Sequence, residues 1–283
     1  MNPQAPAGFA AAATYDPAVA LQFFKSAGTT AVIAEGAKIF EENEREIPLL
    51  RKNKVYYLLK GEVGLLAGRK NIGRVRPGEI FGEMALISRA PRSASAVAKT
   101  ACRVIELDDT AFRAALGKTP EFALMLMSVM IHRLRDTIAE LKRLNALSAD
   151  AELRESAAFD PRVLGELVQG LADDPPLFFQ QGAAIVAEGQ KGLLMYAVLE
   201  GCVRVSIGGQ PVERLGRGGV FGEAALVDTA AMRIADAAAE TDCSLQPISR
   251  KAFLALVKLS PQFAHTMLVS LAARLRYLTA KLG

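Results

Sequence analysis

The chain has 283 residues, of which 51% are hydrophobic and 23% charged, and its formal net charge is +4. This length allows two domains of roughly 140 residues, each with its own core. The composition is that of a globular protein, and no run of about 18 apolar residues predicts a membrane span. The positive charge is spread along the chain, so we expect no nucleic-acid partner.

The few cysteines and histidines argue against several kinds of site. Cys102, Cys202 and Cys243 form no C-x-x-C pair, which disfavours both a disulfide framework and a zinc site. His132 and His265 each lie in an apolar helical stretch without a second ligand at metal-binding spacing. We therefore expect no metal, and a reducing, cytoplasmic location.

The first half of the chain predicts a helix, several strands and a long helix. Residues 1–15 carry no Lys or Arg, unlike a secretory signal, and are interpreted as a flexible leader. Asp16 followed by Pro17 is typical of a helix N-terminus. The β-forming runs VYYLL and VGLL follow, separated by glycine. From Met127 to Leu141 apolar residues recur every three or four positions, which predicts an amphipathic helix.

The second half predicts the same order of elements. Residues 145–159 are polar and rich in Ala and Glu, and we interpret them as a helical connector that continues the first long helix. Asp160 with Pro161 predicts another helix N-terminus, followed by the strands MYAVL and VRVSI. Apolar residues from Leu268 to Leu282 predict a second terminal helix.

The two halves are copies of one another. YYLLKG at 56–61 returns as YAVLEG at 196–201, and FGE at 81–83 returns at 221–223, both after 140 positions. After this triplet the two copies are 141 positions apart, because the second copy has one inserted residue. Near the start of the repeat they are 146 positions apart, because the first copy has six extra residues in a predicted loop.

The repeat and the strand pattern together predict an α+β fold that is mainly β. We expect two tandem antiparallel β-roll or jelly-roll barrels, each flanked by N-terminal helices and a long C-terminal helix. The predicted domains are residues 16–144 and 160–283.

An acid and an arginine are the candidate binding residues of the first motif (residues 81–96, FGEMALISRAPRSASA). Arg92 could hold a phosphate in a bidentate fork, with Ser93 as a further donor, and amide groups at a helix N-terminus favour an anion. The carboxylate of Glu83 could accept a hydrogen bond from a ribose hydroxyl. The alternative is an exposed Glu–Arg ion pair on a barrel rim, which would contribute little.

The strands, FGE-x-AL, PRSASA and a terminal amphipathic helix, in this order, resemble the cyclic nucleotide-binding domain family. This family includes catabolite-activator-type regulators, kinase regulatory subunits and cyclic-nucleotide-gated channels. The resemblance implies that Glu83 binds the ribose 2'-hydroxyl, that Arg92 and Ser93 hold the cyclic phosphate, and that amide groups near Met84 and Ala85 complete the site. The residues assigned to the first site are Phe81, Gly82, Glu83, Met84, Ala85, Arg92 and Ser93.

The second motif (residues 221–237) departs from the family pattern. Its assigned residues are Gly222, Glu223, Ala224, Ala225 and Arg233. Arg233 falls one position late, Met232 replaces the proline and Ile234 replaces the hydroxyl residue. A lost donor weakens a phosphate site without necessarily abolishing it, so occupation of this site stays open.

The resemblance also implies a role for the terminal helices. In the family the terminal helix closes over the base and transmits the signal, so residues 133–147 are expected to act as lid, connector and dimer surface. Four arginines on these helices are interpreted mainly as solvated charges: Arg133, Arg135, Arg274 and Arg276.

We therefore predict a cyclic-nucleotide receptor with cAMP or cGMP as ligand, a cyclic dinucleotide as an open alternative, and no other cofactor. It would signal through an unidentified effector protein and could form a homodimer through its C-terminal helices. No catalytic triad, Walker loop or kinase signature is found, so we expect no enzyme activity. The alternatives are a ligand-independent scaffold and a catabolite-activator-type transcription regulator, although the chain ends at Gly283 without room for a helix-turn-helix.

Overall fold

The computed structural model describes most of the chain. The described residues are 15–45, 53–68, 70–147, 153–171, 173–227 and 232–282. The predicted leader, residues 1–15, lies outside them except for Tyr15. Most of the predicted extra loop of the first half, residues 46–52, lies outside them as well.

Contacts within the chain divide it into two compact units. These are Met1–Val129 with Val257–Ala272, and Met130–Leu256 with Ala273–Gly283. Each is described by itself below. The domain boundaries expected from the sequence, 16–144 and 160–283, stay a prediction.

The first unit contains a barrel of two four-stranded sheets. Its elements are α1 (Pro17–Ala27), β1 (Thr29–Ile33), β2 (Lys38–Phe40), β3 (Lys54–Lys60), β4 (Val63–Ala67), β5 (Lys70–Val75), β6 (Ile80–Phe81), α2 (Glu83–Ser88), β7 (Ser95–Ala98), β8 (Cys102–Asp108), α3 (Asp109–Lys118) and the start of α4 (Pro120–Arg143). The strand orders are β1-β8-β3-β6 and β2-β7-β4-β5, with every pair antiparallel.

The second unit repeats this barrel and adds one strand. It contains the end of α4 and then β9 (Arg154–Ser156), α5 (Pro161–Gly170), β10 (Leu177–Phe179), β11 (Ala184–Val186), β12 (Leu194–Glu200), β13 (Val203–Ile207), β14 (Gln210–Leu215), β15 (Val220–Phe221), α6 (Ala224–Val227), β16 (Asp236–Ala239) and β17 (Cys243–Ser249). The chain continues through α7 (Arg250–Leu259) and α8 (Pro261–Thr279) to a 3-10 turn (Ala280–Leu282). The strand orders are β10-β17-β12-β15 and β11-β16-β13-β14-β9.

Local sequence signals determine how the helices begin and what they bury. The side chain of Asp16 accepts hydrogen bonds from the amides of Ala18 and Val19, which caps α1 as predicted. Phe23 on this helix is fully buried and stacks on Phe122 of α4, with ring centroids 3.7 Å apart. Aromatic packing of this kind fixes the helices of the first unit against one another.

The predicted fold class is confirmed. Both units have antiparallel sheets in the same strand order, with helices before and after each barrel. Within the described residues no single helix meets the length and hydropathy expected of a membrane span. Two sharply bent helix pairs, α3 with α4 and α7 with α8, meet it by length and composition only.

The predicted helical connector at residues 145–159 is wrong where the structure describes it. Helix α4 ends at Arg143, and Asn145 takes a left-handed conformation with φ of 53°. Asparagine tolerates this conformation, and the amide of Ala146 bonds back to the carbonyl of Leu141, which closes the helix end. Downstream, residues 154–156 form β9, which pairs in parallel with β14.

Candidate functional site

Arg92 is buried at the centre of the first motif, with 3% of the residue exposed. Its Nη1 donates to the carbonyl of Gly82 at 2.7 Å, and its Nη2 donates to the carbonyl of Lys54 at 2.8 Å. The guanidinium carbon lies 4.1 Å from the ring centroid of Phe40, within cation–π range. Arg92 therefore ties the motif to β2 and β3.

The guanidinium of Arg92 retains an unused donor. Among the described residues its buried Nε–H has no hydrogen-bond partner. Burial lowers the pKa of Arg92, while Tyr56, Glu44 and Glu83 oppose this shift. Because a buried donor without an acceptor is costly, an anion that accepts from Nε would stabilise this arrangement.

Glycine is favoured at position 82 by the backbone conformation there and by the close approach of Arg92. Its φ of 80° lies in the left-handed region, and a Cβ at this position would lie 2.8 Å from Nη1 of Arg92. Glu83 follows as the first residue of α2 and is 5% exposed. Because Glu83 and Arg92 are both buried, they do not form the exposed ion pair that the sequence left as an alternative.

The remaining predicted residues of the first motif differ in their surroundings. Phe81 stacks on Tyr56 with ring centroids 5.0 Å apart and belongs to the barrel core. Ala85 is buried and Met84 is half-buried, both on α2. Ser93 is exposed beside Arg92. The structure thus brings Gly82, Glu83 and Arg92 to one place and leaves Ser93 at the surface.

An open cavity reaches Arg92 from the side of β2. Its lining includes Lys38, Phe40, Glu42, Lys54 and Tyr56. Glu83 and Ser93 are not part of this lining. A ligand that approaches Arg92 from this side meets aromatic rings and charges of both signs.

The second motif holds its arginine in the same way. Nη1 of Arg233 donates to the carbonyl of Gly222 at 2.9 Å, and Nη2 donates to the carbonyl of Leu194 at 2.6 Å. Gly222 and Leu194 occupy the positions of Gly82 and Lys54 in the repeat. The inserted residue falls within 227–232 and leaves this hydrogen-bond pattern unchanged.

A cavity of about 80 Å³ lies beside the second motif. All of the predicted second-site residues line it: Gly222, Glu223, Ala224, Ala225 and Arg233. Apolar side chains, including Leu134, Ile138 and Leu278, line the same cavity. The structure therefore brings the second set of predicted residues around one cavity.

The interpretation of Arg274 as a solvated helix charge is wrong. Its side chain is 11% exposed, with Nη1 2.7 Å from Oε1 of Glu223 and Nε 2.9 Å from Oε2 of Glu213. Nη2 also donates to the carbonyl of Val220. Burial by itself would lower the pKa of Arg274, but the two carboxylates raise it above its ordinary value. The other three helix arginines, Arg133, Arg135 and Arg276, are half-buried.

Glu213 extends this contact to the added strand β9. Arg154 of β9 pairs with Oε1 of Glu213, which also accepts a hydrogen bond from Ser156 at 2.5 Å. Burial lowers the pKa of Arg154, and Glu213 opposes this shift. We call Arg154, Glu213, Glu223 and Arg274 the Arg274 network. Sequence reasoning missed it, although Arg274 lies three residues after Leu271 and four before Leu278, on the apolar face of its helix.

The two barrels and the two matching motifs define a tandem-repeat protein. The model of the family described as "Cyclic nucleotide-binding domain" matches residues 33–119 and 176–260. The matches cover more than half of the chain, which therefore belongs to this family.

Curated relatives include kinase subunits and transcription regulators. The chain is 29% identical over 194 residues to a cAMP-dependent protein kinase regulatory subunit of Mycosarcoma maydis, covering 64% of this chain and 32% of that protein. It is 38% identical over 103 residues to the cyclic AMP receptor protein of Thermus thermophilus, covering 35% of this chain and 47% of that protein. The chain spans less than half the length of these relatives.

A similar solved structure is the regulatory domain of Toxoplasma gondii PKA with cAMP. It is 24% identical, with a TM-score of 0.32, covering 86% of this chain and 87% of that one.

Proposed function

We propose that this chain is a cyclic-nucleotide receptor that binds cAMP or cGMP at the first motif. The observation that carries the proposal is the buried guanidinium of Arg92, whose Nε–H has no acceptor among the described residues. A cyclic phosphate is an anion that would accept from this donor in a charge-assisted hydrogen bond. Family membership and the names of the relatives add support.

The proposed roles follow the chemistry of each residue. Arg92 holds the phosphate, with Ser93 and the amides of Met84 and Ala85 as further donors. Glu83 accepts a hydrogen bond from the ribose 2'-hydroxyl. Glu83 is buried beside Arg92, so its negative charge also favours the charged form of the arginine.

Signalling would proceed by a population shift. A nucleotide that binds one arrangement of the terminal helices more tightly moves the protein toward that arrangement, and an effector protein then gains or loses a docking surface. Because several relatives are named as kinase regulatory subunits, a kinase catalytic subunit is the first class of effector to test.

Calorimetry of the whole chain with cAMP and with cGMP tests the binding step. We expect Arg92→Ala to weaken binding by about 100-fold, because it removes charge-assisted hydrogen bonds to the phosphate. Arg103→Ala is the matched control, since Arg103 is an exposed arginine on β8 of the same unit. A wild-type chain that binds neither nucleotide would refute the proposal, as would equal losses in both variants.

A further inference from the structure

Asp109, the first residue of α3, lies between the first motif and helix α8. Nη2 of Arg89, the residue that follows α2, is 3.8 Å from Oδ2 of Asp109. Nε2 of His265, on α8, is 3.8 Å from Oδ1 of the same carboxylate. We propose that nucleotide at the first motif brings His265 and Asp109 into a hydrogen bond, so that Asp109 links this motif to α8. This inference rests on the proposed function, because nucleotide at the first motif is what alters the link.

The three residues of this link all belong to the first unit. Val257–Ala272, which includes the first half of α8, is part of that unit together with α2 and α3. Helices α3 and α8 also come close at Gly117, where a Cβ would lie 3.1 Å from Cγ of Pro261. The first unit therefore contains a helical segment that follows the second motif in the chain, and this segment approaches α3 at two places.

The two atoms that face each other across this gap are buried and unsatisfied. Neither Nε2 of His265 nor Oδ1 of Asp109 has a hydrogen-bond partner in the part of the chain that the structure describes. A separation of 3.8 Å is too long for a hydrogen bond, and a buried polar atom without a partner is costly. An approach of about 1 Å would satisfy both atoms at once. The geometry is therefore that of a contact that is ready to form.

The imidazole of His265 is neutral near pH 7 and can donate one hydrogen bond. Burial and the nearby charge of Arg113 lower the pKa of His265 to about 4. A neutral imidazole carries a single N–H, and the carboxylate opposite Nε2 favours the tautomer that places the hydrogen there. Oδ2 of Asp109 already accepts from Nε of Arg113 at 3.1 Å. Oδ1 is therefore the oxygen that is left for His265.

Helix α2 connects the proposed ligand residues to Arg89. The helix comprises Glu83–Ser88, six residues, and is therefore about 9 Å long. Because it is short and begins with Glu83, a ligand that shifts its first turn also shifts its end. Arg89 follows directly, in a left-handed conformation with φ of 50° that is uncommon for arginine. A shift of α2 would thus move the guanidinium that contacts Asp109, and with it the carboxylate that faces His265.

The link has a measurable consequence for nucleotide affinity. A hydrogen bond that forms only in the bound state favours that state, and its typical net contribution corresponds to about 5-fold in an equilibrium constant. Because coupling between two sites is reciprocal, loss of this hydrogen bond weakens nucleotide binding by the same factor. Asp109 and His265 are not among the proposed binding residues, so an effect on affinity would reach the ligand through α2.

A double-mutant cycle in nucleotide affinity tests the link in the full chain. In calorimetry with cAMP and with cGMP, the binding that Arg92→Ala removes is the binding at the first motif. Asp109→Ala and His265→Ala are each expected to weaken it by about 5-fold, and the double variant by no more than either single one, because both remove the same hydrogen bond. The matched control is Glu121→Ala, since Glu121 is an exposed acid in the first turn of α4, and it should leave the affinity unchanged.

Hydrogen exchange in the wild type supplies a measurement that does not depend on the folding of these variants. Saturating nucleotide is expected to slow amide exchange in residues 261–272, because the new hydrogen bond holds α8 against α3. Arg89→Ala, an exposed position, should bind nucleotide but no longer show this slowing.

The outcomes separate this inference from the proposed function. A wild type that binds no nucleotide refutes the proposed function. A wild type that binds nucleotide without slower exchange in residues 261–272 overturns the link and leaves the first motif intact. Losses in Asp109→Ala and His265→Ala that add in the double variant, or that do not exceed the loss in Glu121→Ala, overturn it as well.

Discussion

The replacement Arg274→Met should destabilise the protein strongly, because it leaves the buried carboxylate of Glu223 without a counter-charge. Glu213 keeps its ion pair with Arg154, but Glu223 loses the guanidinium at 2.7 Å. Removal of one partner from a buried ion pair typically costs about 3 to 5 kcal/mol. We therefore expect the free energy of unfolding, measured by urea denaturation, to fall by an amount in this range.

A double-mutant cycle with Glu223→Gln isolates the contribution of the pair. Glu223→Gln removes the charge that Arg274→Met leaves unpaired, so the double variant should be more stable than the sum of the single losses predicts. We expect a coupling free energy on the order of 1 to 3 kcal/mol. Arg276→Met serves as the control and should cost less than about 1 kcal/mol. Additive losses, or a loss below about 1 kcal/mol for Arg274→Met, would refute the ion-pair argument.

Three further predictions concern local features. Burial lowers the pKa of His265 to about 4, so an unfolded chain binds a proton between pH 6.5 and 4 that the folded chain does not. The free energy of unfolding should therefore fall by about 2 to 3 kcal/mol as the pH drops across this window. Urea denaturation should show a smaller fall in the His265→Gln variant. Gly82→Ala should lower the melting temperature more than Gly36→Ala. Both glycines have a left-handed φ, but only at Gly82 would the added Cβ contact Arg92. Equal losses in the two variants would contradict the steric argument. Asp160→Ala should cost about 1 kcal/mol in urea denaturation, since it removes the acceptor of two amides of α5, and an unchanged midpoint would contradict the capping role.

Features encoded by a few neighbouring residues could be predicted from the sequence. Asp16 and Asp160, each followed by proline, begin helices as expected because the capping geometry involves only the first turn. The repeat predicted the matching strands, because equal patterns at a fixed offset form equal elements. Gly82 was expected beside the ligand, and the structure adds that a Cβ at this position would lie 2.8 Å from Nη1 of Arg92.

Features that depend on distant contacts could not be predicted in the same way. Strand β9 has three residues and pairs in parallel with β14, and its Arg154 and Ser156 both bond Glu213 of that strand. No local pattern in a polar segment distinguishes this strand from a helical connector. Arg274 did carry a signal, because its spacing from Leu271 places it on the buried face, but a charge is expected to avoid that face unless a partner is known.

The motif arginine holds the protein backbone together in both copies, so its presence alone does not show that a ligand binds. Arg92 and Arg233 each bond the carbonyl of the motif glycine and the carbonyl of the residue that begins the neighbouring strand, Lys54 or Leu194. These bonds involve only the protein, so an arginine and a glycine at these positions would hold the barrel together even where no nucleotide binds. The residues without such a task are therefore more informative about the ligand. Ser93 is replaced by a hydrocarbon side chain in the second copy, and Glu223 is bonded to Arg274. On this argument Gly-Glu followed by Arg indicates the fold rather than the ligand.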